Sequence, residues 1–276
     1  MEELIVKTPA KINFGLNVIE KRPDGYHNIE TIFYPVDLFD TLTFSRSKKY
    51  ILETDNKILS SEKDNLITKA KNLLEDFTKK KLNVKIHLTK NIPIGAGLGG
   101  GSSDAAAVLK TLNKIFQLNL DSFSLNDLAS KLGSDVPFFL NPYPSFASSR
   151  GEILEQIDFK IKYPILLVYP GIFVSTKWAY EKITPVEPAI SLIELYRKRK
   201  LQMENFRELI KNDFEIPVMN EFPGIKLLEE ELYELGAGFV LMSGSGSTLF
   251  ALFENINSAE EAIKNIGGKY FTFLQR

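Results

Sequence analysis

The chain has 276 residues, 34 Lys and Arg against 35 Asp and Glu, a formal charge of −1, two histidines and no cysteine. At roughly 150 residues per domain this length suits two domains or one large one, and either buries a core without disulfides or structural metal. The charge balance argues against a general nucleic-acid or membrane-surface binder. With no cysteine and only His27 and His87, thiolate catalysis, disulfide frameworks and the common His/Cys zinc sites are excluded. The N-terminal stretch is acidic where a targeting peptide would be basic. Apolar runs such as Ile165 to Tyr169 and Phe239 to Met242 fall far short of the roughly 20 residues of a membrane span. The expectation is a soluble, cytoplasmic, two-domain protein.

In chain order, Ala10 to Val18 places apolar residues at even positions and Lys11, Asn13, Gly15 and Asn17 at odd ones. Period two predicts a half-buried strand with Lys11 and Asn13 leaving one face. Arg22-Pro23-Asp24-Gly25 is a turn, and Ile29 to Leu42 reads as further strand. Asp64 is a candidate cap for a helix with Leu66, Ile67, Ala70, Leu73, Leu74 and Phe77 on its apolar face. Val84, Ile86 and Leu88 alternate with polar residues in another half-buried strand. Ala105, Val108, Leu109, Leu112, Ile115 and Phe116 form one stripe of a helix. Ser124 to Asp127 reads as the start of a second helix, which ends at Gly133. The second half offers a strand at Ile165 to Tyr169, then helices after Ser175, between about Ala189 and Lys211, and from Glu221 to Leu235. Two strands, Gly238 to Met242 and Thr248 to Phe253, flank Ser243 to Ser247. Strands and helices intermix without a βαβ rhythm, so the fold class is α+β.

The densest chemical signal is Pro93, Ile94, Gly95, Ala96, Gly97, Leu98, Gly99, Gly100, Gly101, Ser102 and Ser103, running into a helix. Glycines let several backbone N–H groups converge on one anion, and a helix start adds its dipole. The loop is not a Walker A loop, because no Gly-Lys-Ser/Thr ends it. Gly95, Gly97 and Gly100 match Gly-x-Gly-x-x-Gly, with Asp121 near the distance of a ribose acid. A dinucleotide fold, however, needs a fully buried strand running straight into the turn, and here the strand alternates and Asn91 and Pro93 intervene. A phosphate cradle is the reading that stands. On residues alone, Lys11 is also compatible with a plain strand lysine, Asp135 with a helix cap and His27 with a turn cap. His87 carries no assigned function.

The segments Pro9-Ala-Lys-Ile-Asn13, Pro93 to Ser103 and Ser243-Gly-Ser-Gly-Ser247 resemble the three motifs of the GHMP kinases. Arg22-Pro-Asp-Gly-Tyr-His27 and Leu132-Gly-Ser-Asp-Val-Pro-Phe138 match a branch that phosphorylates a cytidine-diphosphate-linked methylerythritol in non-mevalonate isoprenoid synthesis. The resemblance implies a ribosomal-protein-S5-like N-terminal domain (1–155) and a ferredoxin-like C-terminal domain (156–276), with the active site in the cleft between them. It implies ATP and Mg²⁺ as cofactors, transfer to a 2-hydroxyl, and a monomer or weak homodimer binding neither nucleic acid nor membrane. Asp135 is then the general base, and Lys11 the cation that positions it and stabilises charge. Residues 93–103 are the ATP loop; Asn13, Tyr26, His27 and Tyr180 bind substrate, Tyr26 and Tyr180 flanking the cytosine and His27 hydrogen-bonding to it. Phe14, in place of the usual leucine, and Ser149-Arg150-Gly151, a diverged glycine-rich stretch, depart from the pattern. A mevalonate- or homoserine-type kinase, a non-catalytic ATP or metabolite sensor and a nicotinamide-dependent oxidoreductase are the alternatives.

Overall fold

Two long strands carry the architecture: β1 (Leu4–Lys21) and β2 (His27–Arg46), which pair with each other. Between them the expected turn closes with the Arg22 N–H donating to the Tyr26 carbonyl at 2.8 Å. The structure, a computed structural model, describes residues 3–56, 59, 65–199 and 201–276. It divides into two compact units. One takes residues up to Ala10, Asp37–Ile94 and Gly99–Pro142; the other takes Lys11–Val36, Gly95–Leu98 and Tyr143–Arg276.

In the first unit the C-terminal half of β2 pairs antiparallel with β4 (Val84–Thr89), and β3 (Ile51–Thr54) lies parallel to β4. Helices α1 (Leu66–Thr78), α2 (Gly100–Ile115), α3 (Ser122–Leu132) and α4 (Val136–Leu140) pack against one another. The cap of α1 is Asn65, whose side chain accepts the Thr68 N–H; the expected cap, Asp64, lies outside the described residues. Helix α3 starts ahead of the expected Ser124 because the Asp121 carboxylate takes the Ser124 N–H at 2.8 Å. Helix α2 begins at Gly100, so Ser102 and Ser103 sit inside its first turn rather than before it.

The second unit extends the N-terminal half of β2 with β5 (Ser145–Ser148) and β6 (Ile153–Gln156). It also holds an antiparallel sheet ordered β10-β7-β9-β8, from β7 (Ile165–Tyr169), β8 (Phe239–Met242), β9 (Leu249–Leu252) and β10 (Phe271–Gln275). Its helices are α5 (Thr176–Lys182), α6 (Leu192–Arg197), α7 (Met203–Leu209), α8 (Glu215–Glu221), α9 (Pro223–Glu234) and α10 (Ile256–Ile266). The single helix expected between Ala189 and Lys211 is two, α6 and α7, because Arg199 takes a left-handed φ of 54° that no helix continues. The helix expected from Glu221 is likewise divided. Pro223, lacking an N–H, starts α9 afresh after α8.

Phe14 is fully buried, its ring 4.9–6.1 Å from those of Phe159, Phe206, Phe239 and Phe250. A phenylalanine there is the centre of an aromatic cluster, which accounts for the departure from leucine. The expected half-burial of β1 is corrected by the structure: from Ala10 to Val18 both faces are buried, Lys11, Asn13 and Asn17 included. A polar strand face withdrawn from water must find its partners within the protein. Among the described residues no helix is long and apolar enough to cross a membrane.

Candidate active site

The partners of that buried polar face build the site. Lys11 is 3% exposed, and its Nζ donates to Asn13 Oδ1 at 2.5 Å and lies 5.0 Å from the centre of the Phe33 ring. Asn13 Nδ2 donates to Thr31 Oγ1 at 3.0 Å, and that hydroxyl donates to the Gly15 carbonyl at 2.5 Å. Thr31 thus fixes which end of the Asn13 amide faces the lysine. An ammonium held away from water needs such acceptors.

The same strand reaches both glycine-rich segments. The Lys11 N–H donates to the Leu98 carbonyl at 3.0 Å. The Asn13 N–H donates to Ser243 Oγ at 3.2 Å, and Ser243 Oγ donates in turn to the Gly97 carbonyl at 3.0 Å. One hydroxyl therefore joins three separate motifs. Gly97 has φ +78°, and a Cβ there would collide with the Ser243 carbonyl oxygen, so only glycine allows this approach.

Within the loop, Gly95, Gly97 and Gly99 all adopt left-handed φ values of 66°, 78° and 71°. Alternating left-handed residues turn successive N–H groups to one side, the geometry of an anion nest. Helix α2 follows with Gly99 as a cap that has no side chain to fill the first-turn donors, so those amides remain for a ligand. Ser103 Oγ is buried and has no hydrogen-bond partner.

Sequence reasoning missed the residues that hold this loop at its root in the first unit. Asp40, fully buried, accepts the N–H groups of Asn91 and Ile92 at 2.6 and 2.8 Å and is ion-paired to Lys90. Lys90 Nζ also lies 3.7 Å from Asp104 Oδ2, and Thr8 donates to Asp104 Oδ1 at 2.7 Å. Burial, partly offset by Lys90, pushes the Asp104 carboxyl up to about 7. Their signal was faint: Thr8, Asp40, Lys90 and Asp104 are scattered polar residues whose partners lie far away in sequence.

At the other end of β1, His27 and Tyr180 stack, their ring centres 4.9 Å apart and their planes at 15°. Burial, with Lys21 nearby, holds the His27 imidazole below its usual pKa, hence neutral at pH 7. Tyr26 is 54% exposed, with the Arg150 guanidinium 4.8 Å from its ring centre. The diverged Ser149-Arg150 stretch therefore lies against this turn, where Ser149 Oγ also accepts from Arg22 at 3.0 Å. Asp135, in the first unit, occupies the cap position of α4, although its carboxylate caps no N–H there. Among the described residues no three His, Cys, Asp or Glu are grouped to hold a metal ion. Ser103 Oγ, a hard oxygen in the first turn of α2 without a hydrogen-bond partner, is of the kind that could serve a hard cation as a ligand.

Comparison with known proteins gives concordant matches. The GHMP kinases N terminal domain family matches residues 65–141, and the GHMP kinases C terminal family matches residues 192–271. A Bacteroides thetaiotaomicron protein named 4-diphosphocytidyl-2-C-methyl-D-erythritol kinase is 45% identical over 251 residues, 89% of this chain and 90% of that one. One of the same name from Prosthecochloris aestuarii is 39% identical over 274 residues, 98% of this chain and 96% of that one. A crystal structure of 4-(cytidine 5'-diphospho)-2C-methyl-D-erythritol kinase superposes with a TM-score of 0.82 at 32% identity over 98% of each chain. Homoserine kinase from Cytophaga hutchinsonii shares the fold alone, with a TM-score of 0.68 at 16% identity over 100% of this chain and 94% of that one.

Proposed function

This chain belongs to the 4-diphosphocytidyl-2-C-methyl-D-erythritol kinases of the GHMP family, and from that premise we propose how its residues carry the transfer. The enzyme moves the γ-phosphoryl group of ATP to the 2-hydroxyl of its substrate, giving the 2-phosphate and ADP. Residues 93–103 cradle the ATP phosphates, with the left-handed glycines and the open first turn of α2 supplying N–H donors. Asp135 takes the proton of the 2-hydroxyl as its oxygen attacks the γ-phosphorus. The bond from that phosphorus to the β,γ-bridging oxygen breaks, and ADP leaves. Lys11 stabilises the charge that develops on the nucleophile and the equatorial oxygens, the main demand of a loose phosphoryl-transfer transition state.

Asn13 orients Lys11 and the methylerythritol end. His27, Tyr26 and Tyr180 receive the cytosine, the neutral imidazole exchanging hydrogen bonds with it and the rings supplying stacking area. Mg²⁺, when bound with ATP, neutralises β- and γ-phosphate charge, and Ser103 is the residue that would hold it, with phosphate oxygens and water as its other ligands. The cytoplasm, where ATP is at hand, is the location that goes with this reading.

The observation that supports the reading best is Ser243 Oγ, which joins the Lys11–Asn13 strand to Gly97 of the cradle. The test is turnover of 4-diphosphocytidyl-2-C-methyl-D-erythritol, mevalonate and homoserine with ATP, with Asp135→Asn alongside. The expected result is phosphorylation of the cytidyl substrate alone, reduced at least ~10²-fold in Asp135→Asn. Turnover of another alcohol instead overturns the substrate, and ATP binding without any turnover makes the chain a sensor.

A further inference from the structure

Four consecutive residues outside every motif, Asn212, Asp213, Phe214 and Glu215, grip the Ser243 loop, β1 and Tyr180 within the second unit. Asn212 is 3% exposed; its Nδ2 donates to the carbonyls of Met242 and Gly244 at 2.7 and 2.8 Å, while its Oδ1 accepts the Phe214 N–H at 3.0 Å. Glu215 Oε1 accepts the Met242 N–H at 2.8 Å. Asp213 faces β1: its carboxylate accepts the Val18 N–H at 2.7 Å, and its own N–H donates to the Leu16 carbonyl at 2.9 Å. Phe214 is 1% exposed and meets Tyr180 edge-on at 4.8 Å and 88°, and Tyr180 is the ring stacked on His27.

These contacts matter because of what they hold. Ser243 to Ser247 is buried throughout but irregular, and its two glycines impose no conformation of their own. A buried irregular backbone must have its polar groups paired, and Asn212 and Glu215 pair both sides of its entry. The loop's first residue, Ser243, is the one that bonds to Asn13 and Gly97.

We propose that Asn212–Glu215 is a positioning clamp for the kinase reaction. Asn212 and Glu215 set the Ser243 loop and, through Ser243 Oγ, the Lys11–Asn13 pair and the phosphate cradle; Phe214 sets the Tyr180–His27 stack; Asp213 fixes both to β1. The clamp deepens the kinase reading and rests on it. Neighbouring residues thus govern different steps, and this separates positioning from bulk stability. Disturbing Asn212 or Glu215 acts on the phosphate end and lowers kcat. Disturbing Phe214 acts on the cytidyl end and raises KM for that substrate.

The experiment is steady-state kinetics of the full chain with ATP and 4-diphosphocytidyl-2-C-methyl-D-erythritol, below the Tm of each variant as fixed by circular dichroism. Asn212→Asp keeps the shape and sets an acceptor against two carbonyls; kcat falls by about tenfold or more, with KM for the cytidyl substrate little changed. Glu215→Ala does the same, and Glu215→Gln, which keeps an acceptor for Met242, restores most of kcat. Phe214→Leu raises KM for the cytidyl substrate by about fivefold, with a smaller effect on kcat and none on KM for ATP. If Asn212→Asp does not fold, the Glu215 pair and Phe214→Leu carry the test. Unaltered kinetics in these variants, or kcat and KM moving together in all of them, overturns the clamp while the kinase reading stands. A wild-type chain that does not phosphorylate the substrate overturns the kinase reading and the clamp with it.

Discussion

Lys11 and Asn13 leave β1 on the same side, and the ammonium of the first donates to the amide oxygen of the second at 2.5 Å, both buried. The pair is held by Thr31 and by Ser243, so the cation proposed above for the phosphoryl transfer is fixed before any substrate arrives. Preorganised charge of this kind needs no rearrangement during reaction.

Lys11→Met therefore lowers kcat by about 10²- to 10³-fold while the chain stays folded. Asn13→Ala removes an acceptor from a buried cation and costs about 1.5–3 kcal/mol of stability with about a tenfold loss in kcat. Thermal melts beside initial rates measure both; an Asn13→Ala enzyme with wild-type kcat would show that Asn13 does not orient the lysine.

Gly97→Ala meets two obstacles, a positive φ and the Ser243 carbonyl. Neither gives way without displacing the loop, so the substitution destabilises by more than about 1 kcal/mol and weakens ATP binding. Calorimetric titration of ATP into the variant measures the second effect directly. Wild-type affinity would mean that the cradle is not where ATP binds.

Tyr180→Ala removes one ring of the stack with His27. Stacking on a base is worth about 1–3 kcal/mol, so KM for the cytidyl substrate rises about tenfold or more while KM for ATP holds. An equal rise in both constants would detach Tyr180 from the cytosine.

Glu215 makes stability depend on pH in a direction opposite to most carboxylates. The residue is half-buried with its carboxyl withdrawn from water, and desolvation, with Glu229 adding repulsion and the Met242 and Asn212 backbone groups opposing, pushes it up to about 8. The folded state thus binds more protons than the unfolded one above the ordinary value of 4.5. Its contribution is full below that value and is lost as pH rises through about 8. Glu215→Gln fixes the neutral form, so its Tm minus that of wild type grows from pH 5 to pH 9. A constant difference would contradict the burial of this carboxyl.

What could be read in the sequence was what is local. The turns of residues 93–103 show themselves because the left-handed backbone at Gly95, Gly97 and Gly99 demands glycine, and the Lys11–Asn13 pair because period two fixes the face each side chain leaves. That this face is buried was not legible, since burial depends on what packs there. Asp40 looked like an unremarked acid in a strand, yet it takes two N–H groups from Asn91 and Ile92, about fifty residues away. Asn212 and Glu215 likewise have partners some thirty residues on, around Met242, a distance no periodicity encodes. Arg199 broke a helix that apolar spacing favoured, because a turn conformation, not a change in hydropathy, ended it.

The hydroxyl of Ser243 has a consequence for biosynthesis. Its contact with Asn13 spans 230 positions of chain. A nascent polypeptide emerging from the ribosome carries the cradle, the lysine and the aspartate long before it carries the atom that unites two of them. Long-range contacts of this kind form late, and domains otherwise fold as they are made. A product truncated ahead of Ser243 therefore retains Asn13 and Gly97 without the hydroxyl that joins them.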